Sequence, residues 1–349
     1  MKLYEIIIKP VASFGTPLKG DTIFGHFCWQ LAYNPSLLNG GLEQWIACYG
    51  ERPFAVFSSA WPKLRDNNES FYALKRLDLP LSFLFPPSSS NRKKSFEELK
   101  QNKKKKWMKV NKELALTLNS MEYLSDEDLI KLSKKQVTVE TGRMKGKKDH
   151  KFCSDFIQQH NTINRLTMTT GEGIFAPFTG TGLFYYPETE LVVFVLLDEE
   201  ATDIDRVCAA IENIGKFGFG RDASTGCGRF NLGKATELPL PSCDSYDACY
   251  TLAPAVPEEG VFSDYYFTPF IRFGKHGDAL ATSGNPFKNP VLMADEGAVF
   301  IPKSKDTFQK PYIGRAVLKT SKIREHTVVH QGYAPYLPFR LEMKHERCK

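Results

Sequence analysis

Residues 215–230 read GKFGFGRDASTGCGRF, five glycines in sixteen residues with Arg221 and Arg229 set among them. The stretch closes the segment TDIDRVCAAIENIGKFG, in which Ile204, Val207, Cys208, Ile211 and Ile214 recur at helical spacing. This predicts a helix ending at Gly215, then a glycine loop, then a strand around Arg229 to Leu232. Glycines let the main chain take positive φ, approach a ligand closely and expose its N–H groups. Arg221 and Arg229 add forked donors and Ser224 and Thr225 add hydroxyls, which together suit several phosphates. An ordinary hairpin turn is built from the same residues, so the loop alone leaves both readings open. Nucleotide motifs do not fit. Thr225 stands where a Walker A loop begun at Gly220 needs its second glycine, and Ala223 stands where GxGxxG needs its third.

Working outward, KLYEIIIK (2–9) is a β-branched apolar run ended by Pro10, as in a strand. FGTPLKGDTIFGHFCWQLAY follows, where Asp21 or Thr22 can cap a helix whose Ile23, Phe24, Phe27, Cys28 and Leu31 share one face. PFAVFSSAWP (53–62) reads as a short strand stopped by Pro62, and IFAPFTGTGLFYY and ELVVFVLLD read as a hairpin joined at Pro187 and Glu188. With the helix and glycine loop these elements give a β-α-β-β-α-β order, which is ferredoxin-like or RRM-like. A long insertion at about 63–170 interrupts it. Within the insertion SDEDLIKLSKK predicts a short capped helix, and QVTVETGRMKGKKDHKF a basic hairpin around Thr141 and Gly142. Past ELPLPSCDSYD the chain turns strand-rich in CYTLAPAV, YYFTPFIRFG, PVLMADEGAVFIP and YAPYLPFRLE. The expected fold is α+β, with one domain over 1–237 and a second, strand-rich one over 238–349.

Composition narrows the function. The chain has 349 residues, 42% of them hydrophobic and 26 of them Phe, enough to fill sizeable cores. It contains no run of eighteen apolar residues, and MKLYEIIIKPV lacks the basic start and cleavage site of a signal peptide, so a cytoplasmic protein with no membrane contact is expected. Eight scattered cysteines with no CxxC pair predict reduced packing thiols and no structural metal. The net charge of +6 is uneven: residues 91–151 hold 18 Lys and Arg against 9 Asp and Glu, a balance of +9, which leaves −3 elsewhere. That segment is either a polyanion contact or a solvated loop. Little apolar periodicity runs through Arg92 to Lys151, so poor order in isolation is expected. Trp107, inside KKKKWMK, is either a plane on which a base stacks or an anchor onto the first domain.

HNTINRLTMTTGEGIFAPF (160–178) is a second dense polar cluster, with His160, Asn161, Asn164 and Arg165 within six residues. So many donors favour binding or positioning over a proton relay. No HExxH, GxSxG or kinase set is present, and no cofactor is implied.

Four stretches in this order, KLYEIIIKPVASFGTPLKGDTIFGHFCWQLAY, HNTINRLTMTTGEGIF, GFGRDASTGCGRF and HTVVHQGYAPYLPFRLE, resemble the RAMP superfamily, and within it the fourth Csm subunit of type III-A CRISPR effectors. The resemblance spans nearly the whole chain. It implies two RRM-like domains and a non-catalytic RNA-binding subunit of an antiviral ribonucleoprotein. Such a subunit grips the repeat-derived 5′ handle of the CRISPR RNA (crRNA) and joins the large polymerase-type subunit to the first backbone RAMP subunit, with target RNA near the handle as a further contact. The handle-binding residues it implies are Lys19, Asp21, Asn164, Arg165 and the loop from Gly218 to Arg229, including Gly220, Arg221, Ser224, Thr225, Gly226 and Gly228. Two rivals remain. One is a RAMP endoribonuclease processing precursor CRISPR RNA with His26 or His160 as acid or base, and the other is a structural connector whose basic loop touches only protein.

Overall fold

The computed structural model describes residues 1–67, 69–86, 92–144, 151–242, 245–323 and 328–341. The strands up to residue 240 are β1 (Lys2–Pro10), β2 (Ala55–Asp66), β3 (Glu69–Lys75), β4 (Lys105–Val110), β5 (Glu122–Ser125), β6 (Cys153–His160), β7 (Phe178–Tyr185), β8 (Glu190–Leu197) and β9 (Phe230–Leu238). The helices are α1 (Gly20–Tyr33), α2 (Leu42–Cys48), α3 (Leu81–Leu84), α4 (Arg92–Lys104), α5 (Asp126–Lys134), α6 (Val139–Met144) and α7 (Ile204–Phe217).

Seven strands form one antiparallel sheet in the order β5-β4-β3-β2-β8-β1-β9. Its β2-β8-β1-β9 portion, with α1 and α7 as the crossovers, has the interleaved order of a split βαβ unit. The strands β1 and β8 are apolar almost without alternation because they lie inside this sheet and are covered on both faces. Ile6, Phe194, Phe27 of α1 and Ile211 of α7 share one core.

The second half of the chain carries β10 (Ala248–Thr251), β11 (Phe262–Tyr266), β12 (Pro269–Arg272), β13 (Val291–Ala294), β14 (Val299–Pro302), β15 (Tyr312–Gly314), β16 (Val317–Leu318), β17 (Val329–His330) and β18 (Tyr333–Phe339). Five of these form a sheet ordered β11-β14-β10-β18-β15, while β12–β13 and β16–β17 are separate ribbons. Among the described residues this half has 3-10 turns and no α-helix. Its strands close directly on the first sheet, so Tyr250, Leu337 and Phe339 join the core of β1, β2 and β8. A bulge between Phe57 and Ala60 frees backbone groups of β2 for this contact. The buried amide of Gln331 accepts from the Phe57 N–H at 2.9 Å and donates to its carbonyl at 2.8 Å. Nearby, Ser59 N–H donates to the Leu252 carbonyl at 2.9 Å.

Several expectations are corrected. Pro62 does not stop β2, which runs on to Asp66, because its ladder with β3 begins only at Lys63 and the missing donor falls outside it. β7 and β8 are not a hairpin: β7 pairs with β6, while β8 lies between β1 and β2. The region of Thr141 and Gly142 is the helix α6, begun where the Thr138 hydroxyl accepts from the Thr141 N–H, an N-cap contact. The α1 N-cap is Lys19, with Asp21 and Thr22 already inside the helix.

The described residues of the basic insertion take regular structure. It extends the sheet with β3, β4 and β5, and α5 starts at Ser125 with the anticipated capping box, closed by Asp128. Leu124, Leu129, Ile130 and Phe152 give it a small core of its own. Trp107 acts as an anchor: it packs against both cores, donates to Asp126 Oδ1 at 2.8 Å and meets Phe152 edge-on. Residues 145–150, part of the expected basic hairpin, lie outside the described residues.

Candidate functional site

Helix α7 is capped by Asp203, whose carboxylate accepts from the Arg206 N–H at 2.9 Å, and it buries Val207, Ala210, Ile211 and Ile214. It runs past Gly215, which is a packing glycine: a Cβ there would lie 2.3 Å from the Phe230 carbonyl oxygen. The cap is Gly218, at φ +104°, whose N–H bonds the Ile214 carbonyl at 2.8 Å.

From there the main chain turns repeatedly through the left-handed region, at Gly218, Gly220, Asp222, Gly226 and Gly228. Only Asp222 carries a Cβ at such a position, and aspartate is among the few residues that tolerate it. The loop is pinned rather than free. Phe219 N–H donates to Gly228 O at 2.9 Å, Gly220 N–H to His26 Nε2 at 3.1 Å, Arg221 N–H to Thr16 Oγ1 at 2.9 Å and Gly228 N–H to Ser13 O at 2.6 Å. The expectation that these amides stand open to phosphates is therefore corrected, since they fix the loop's shape. The loop presents side chains outward: Arg221, Ser224, Thr225 and Arg229 are exposed.

His26 makes this fixation depend on protonation. Burial pulls its pKa down to about 4, so near neutrality the ring is uncharged and Nε2 accepts the Gly220 N–H. The Phe219 ring packs against it at 4.6 Å.

The Arg221 guanidinium reaches the hairpin of β6 and β7. One nitrogen donates to the Thr181 carbonyl, and Nε pairs with Asp222 at 3.1 Å. At Gly180 a Cβ would stand 3.0 Å from His160 Nε2 and 3.9 Å from Arg221 Nη2, so a missing side chain lets these two residues converge. His160 stacks on Phe178 with ring centres 5.1 Å apart. The loop beyond is held by Asn164, whose side-chain oxygen accepts from the Leu166 N–H at 2.9 Å, leaving its amide nitrogen as its donor. Arg165 is exposed beside an apolar tip in which Leu166 is 95% and Ile174 83% exposed.

Lys19 and Asp21 are placed elsewhere, at the seam between the two halves. Lys19 is ion-paired to Asp295, and to Glu296 at 2.9 Å. The fully buried Asp21 carboxylate takes Arg272 through Nε at 2.6 Å and Nη2 at 3.0 Å, with His330 Nε2 at 3.3 Å. Burial pushes the Asp21 carboxyl up, but His330 and Arg272 outweigh this and hold it well below the usual carboxylate range. Asp21 is thus a joint and presents nothing to a ligand. Sequence reasoning missed Ser13, Thr16, Gly180 and Thr181; their only signal was small residues in SFGT and TGTG.

Among the described residues no group of three or more His, Cys, Asp or Glu could hold a metal ion, and no helix is long and apolar enough to cross a membrane. The six described cysteines are free thiols. No family model matches the chain, and no curated protein matches it. Solved structures do. A chain of the "Csm1-Csm4 cassette in complex with pppApA" superposes with a TM-score of 0.54 over 98% of this chain and 100% of that one, at 14% identity. A chain of the "Csm3-Csm4 subcomplex in the type III-A CRISPR-Cas interference complex" gives 0.53 over 98% and 100%, also at 14% identity. At that identity the likeness establishes the fold.

Proposed function

We propose that this chain is a non-catalytic RNA-binding subunit of a type III-A CRISPR interference complex, holding the crRNA 5′ handle and linking the large polymerase-type subunit to the backbone RAMP subunits. The observation that carries this reading is the rigid glycine loop, whose fixed main chain sets Arg221, Ser224, Thr225 and Arg229 outward next to a hairpin bearing His160, Asn164 and Arg165. Preorganised donors lose little entropy when they bind, and forked guanidinium groups suit phosphate. The fold, shared end to end with chains of Csm1–Csm4 and Csm3–Csm4 assemblies, supports the choice of partners. In this reading residues 1–237 form an RRM-like domain and residues 238–349 a second, strand-rich one whose described residues carry 3-10 turns and no α-helix, with target RNA passing near the handle. Lys19 and Asp21 serve the grip indirectly, by fixing the start of α1.

The endoribonuclease alternative draws no support from His26. Its lone pair is engaged by a backbone N–H, and at neutral pH its ring carries no extra proton to give to a leaving group.

Replacing Arg221 and Arg229 together with Ala should weaken handle-RNA binding at least tenfold. It should also lower the slope of log affinity against log salt by about 1.4, at roughly 0.7 per lost phosphate contact on a single strand. Unchanged affinity and slope across a salt titration would refute the assignment.

A further inference from the structure

Helix α4, RKKSFEELKQNKK, has its polarity inside out. At 100° per residue its inward positions are Ser95, Glu98 and Asn102, the half-buried residues of the helix, and all three are polar. Phe96 points outward, 58% exposed, on the same arc as Lys100, Lys103 and Lys104, and Leu99, between that arc and the inward face, is still 39% exposed. An ordinary surface helix buries its apolar stripe. Here the body is met by main chain instead, with Arg76 Nη1 donating to the Asn102 carbonyl at 3.0 Å.

The outward stripe combines a ring with cations in one register. Lys100 Nζ stands 4.7 Å from the centre of the Phe96 ring, one turn along the helix. Lys103 and Lys104 continue the line, so the stripe from Phe96 runs about 12 Å at 1.5 Å per residue. Among the described residues no ion pair reaches Lys100, Lys103 or Lys104, although ion pairs do hold Lys109 and Lys131 in the same insertion. The whole helix carries six Lys and Arg against Glu97 and Glu98.

This surface is separate from the glycine loop. The loop leads into β9 at Phe230, opposite Pro10 of β1, while α4 leads into β4 at Lys105, beside the edge strand β5. Five strand spacings separate β4 from β9, about 24 Å at 4.8 Å each. The antiparallel pairings also put these two strand starts at opposite ends of the sheet.

We propose that the outward stripe of α4 is a second, sequence-tolerant contact for single-stranded RNA, with Phe96 as a stacking plane and Lys100, Lys103 and Lys104 neutralising phosphates. An aromatic ring among unpaired cations is the pairing that single strands require, since every base has a stackable face and every linkage a charge. The proposal rests on the RNA-holding reading above but concerns a different segment of RNA from the handle.

The test uses the full-length chain, a 5′-labelled twelve-nucleotide oligouridine without handle sequence, and fluorescence anisotropy from 50 to 250 mM KCl. The triple change Lys100→Ala, Lys103→Ala, Lys104→Ala should weaken binding at least tenfold at 100 mM and lower the salt slope by about 2, as loss of three phosphate contacts demands. Phe96→Ala should weaken it about fivefold and leave the slope unchanged, because stacking releases no ions. All four side chains are exposed, so unfolding does not confound the result. Wild-type affinity and slope in the triple variant would overturn the proposal. So would loss of a partner subunit with oligouridine binding intact, which would make the stripe a protein dock. Measuring the Arg221/Arg229 double variant on handle RNA in parallel separates the two readings: a loss there beside an unaffected lysine variant removes only the second contact.

Discussion

At His26, burial holds the imidazole near a pKa of about 4, so its Nε2 lone pair is free to accept the Gly220 N–H. The folded value lies below the ordinary imidazole value of about 6.5, so between the two the unfolded chain binds more protons. Stability drawn from this contact is therefore complete above pH 6.5 and is lost as pH falls toward 4. In the folded protein the ring stays uncharged until about pH 4, so handle-RNA affinity should hold through that window and fall only as pH approaches 4. His26→Ala should weaken binding at pH 7.5 by threefold or more, whereas His26→Gln, which keeps an acceptor, should restore part of it. Equal affinities in all three proteins would show that the loop does not need the histidine. Residue identity alone announced Arg221 and Arg229 as outward donors. It could not show that the loop's amides are already committed, because their acceptors Ser13, Thr16 and His26 lie about two hundred residues away in sequence.

Elements were legible where their signal is local. The apolar face of α1, the helix before the glycine loop and the capping box of α5 are read within a few residues, and all three form. Strand partners are not local. β7 alternates like a hairpin strand, yet nothing within it says whether β6 or β8 lies alongside, and the nearer neighbour in sequence proved the wrong choice. The basic segment misled for a related reason: its charge is external, while the few apolar residues that hold it, Leu124, Leu129, Ile130 and Phe152, are too sparse to show periodicity. The α1 N-terminus shows how such distant contacts act on an element. Arg272 stands 251 residues from Asp21, and the pair locks α1 to β12. Breaking a buried pair strands a charge, so Asp21→Asn should lower unfolding free energy by about 3 to 5 kcal/mol. Because the folded pKa of Asp21 is depressed, its contribution is present above the usual carboxylate pKa of about 4 and is lost as pH falls below it. Denaturant melts check both statements, and a change under about 1 kcal/mol at pH 7 would mean the pair does not hold the seam.

Across the whole molecule, two sheets share one core. That arrangement ties the glycine loop, the hairpin and the seam to one packed body. A rigid holder suits an RNA end that must stay in one register while neighbouring subunits assemble along the rest of the strand. The central claim is that the RNA end held is a common one. Its most direct measurement is purification of the tagged chain from cells carrying its native CRISPR locus, followed by sequencing of the bound RNA from its 5′ ends. The account predicts that most bound molecules begin with one shared repeat-derived segment, and that the Arg221→Ala, Arg229→Ala protein loses this enrichment. Bound RNAs with unrelated 5′ ends, or the same enrichment in the double variant, would contradict it.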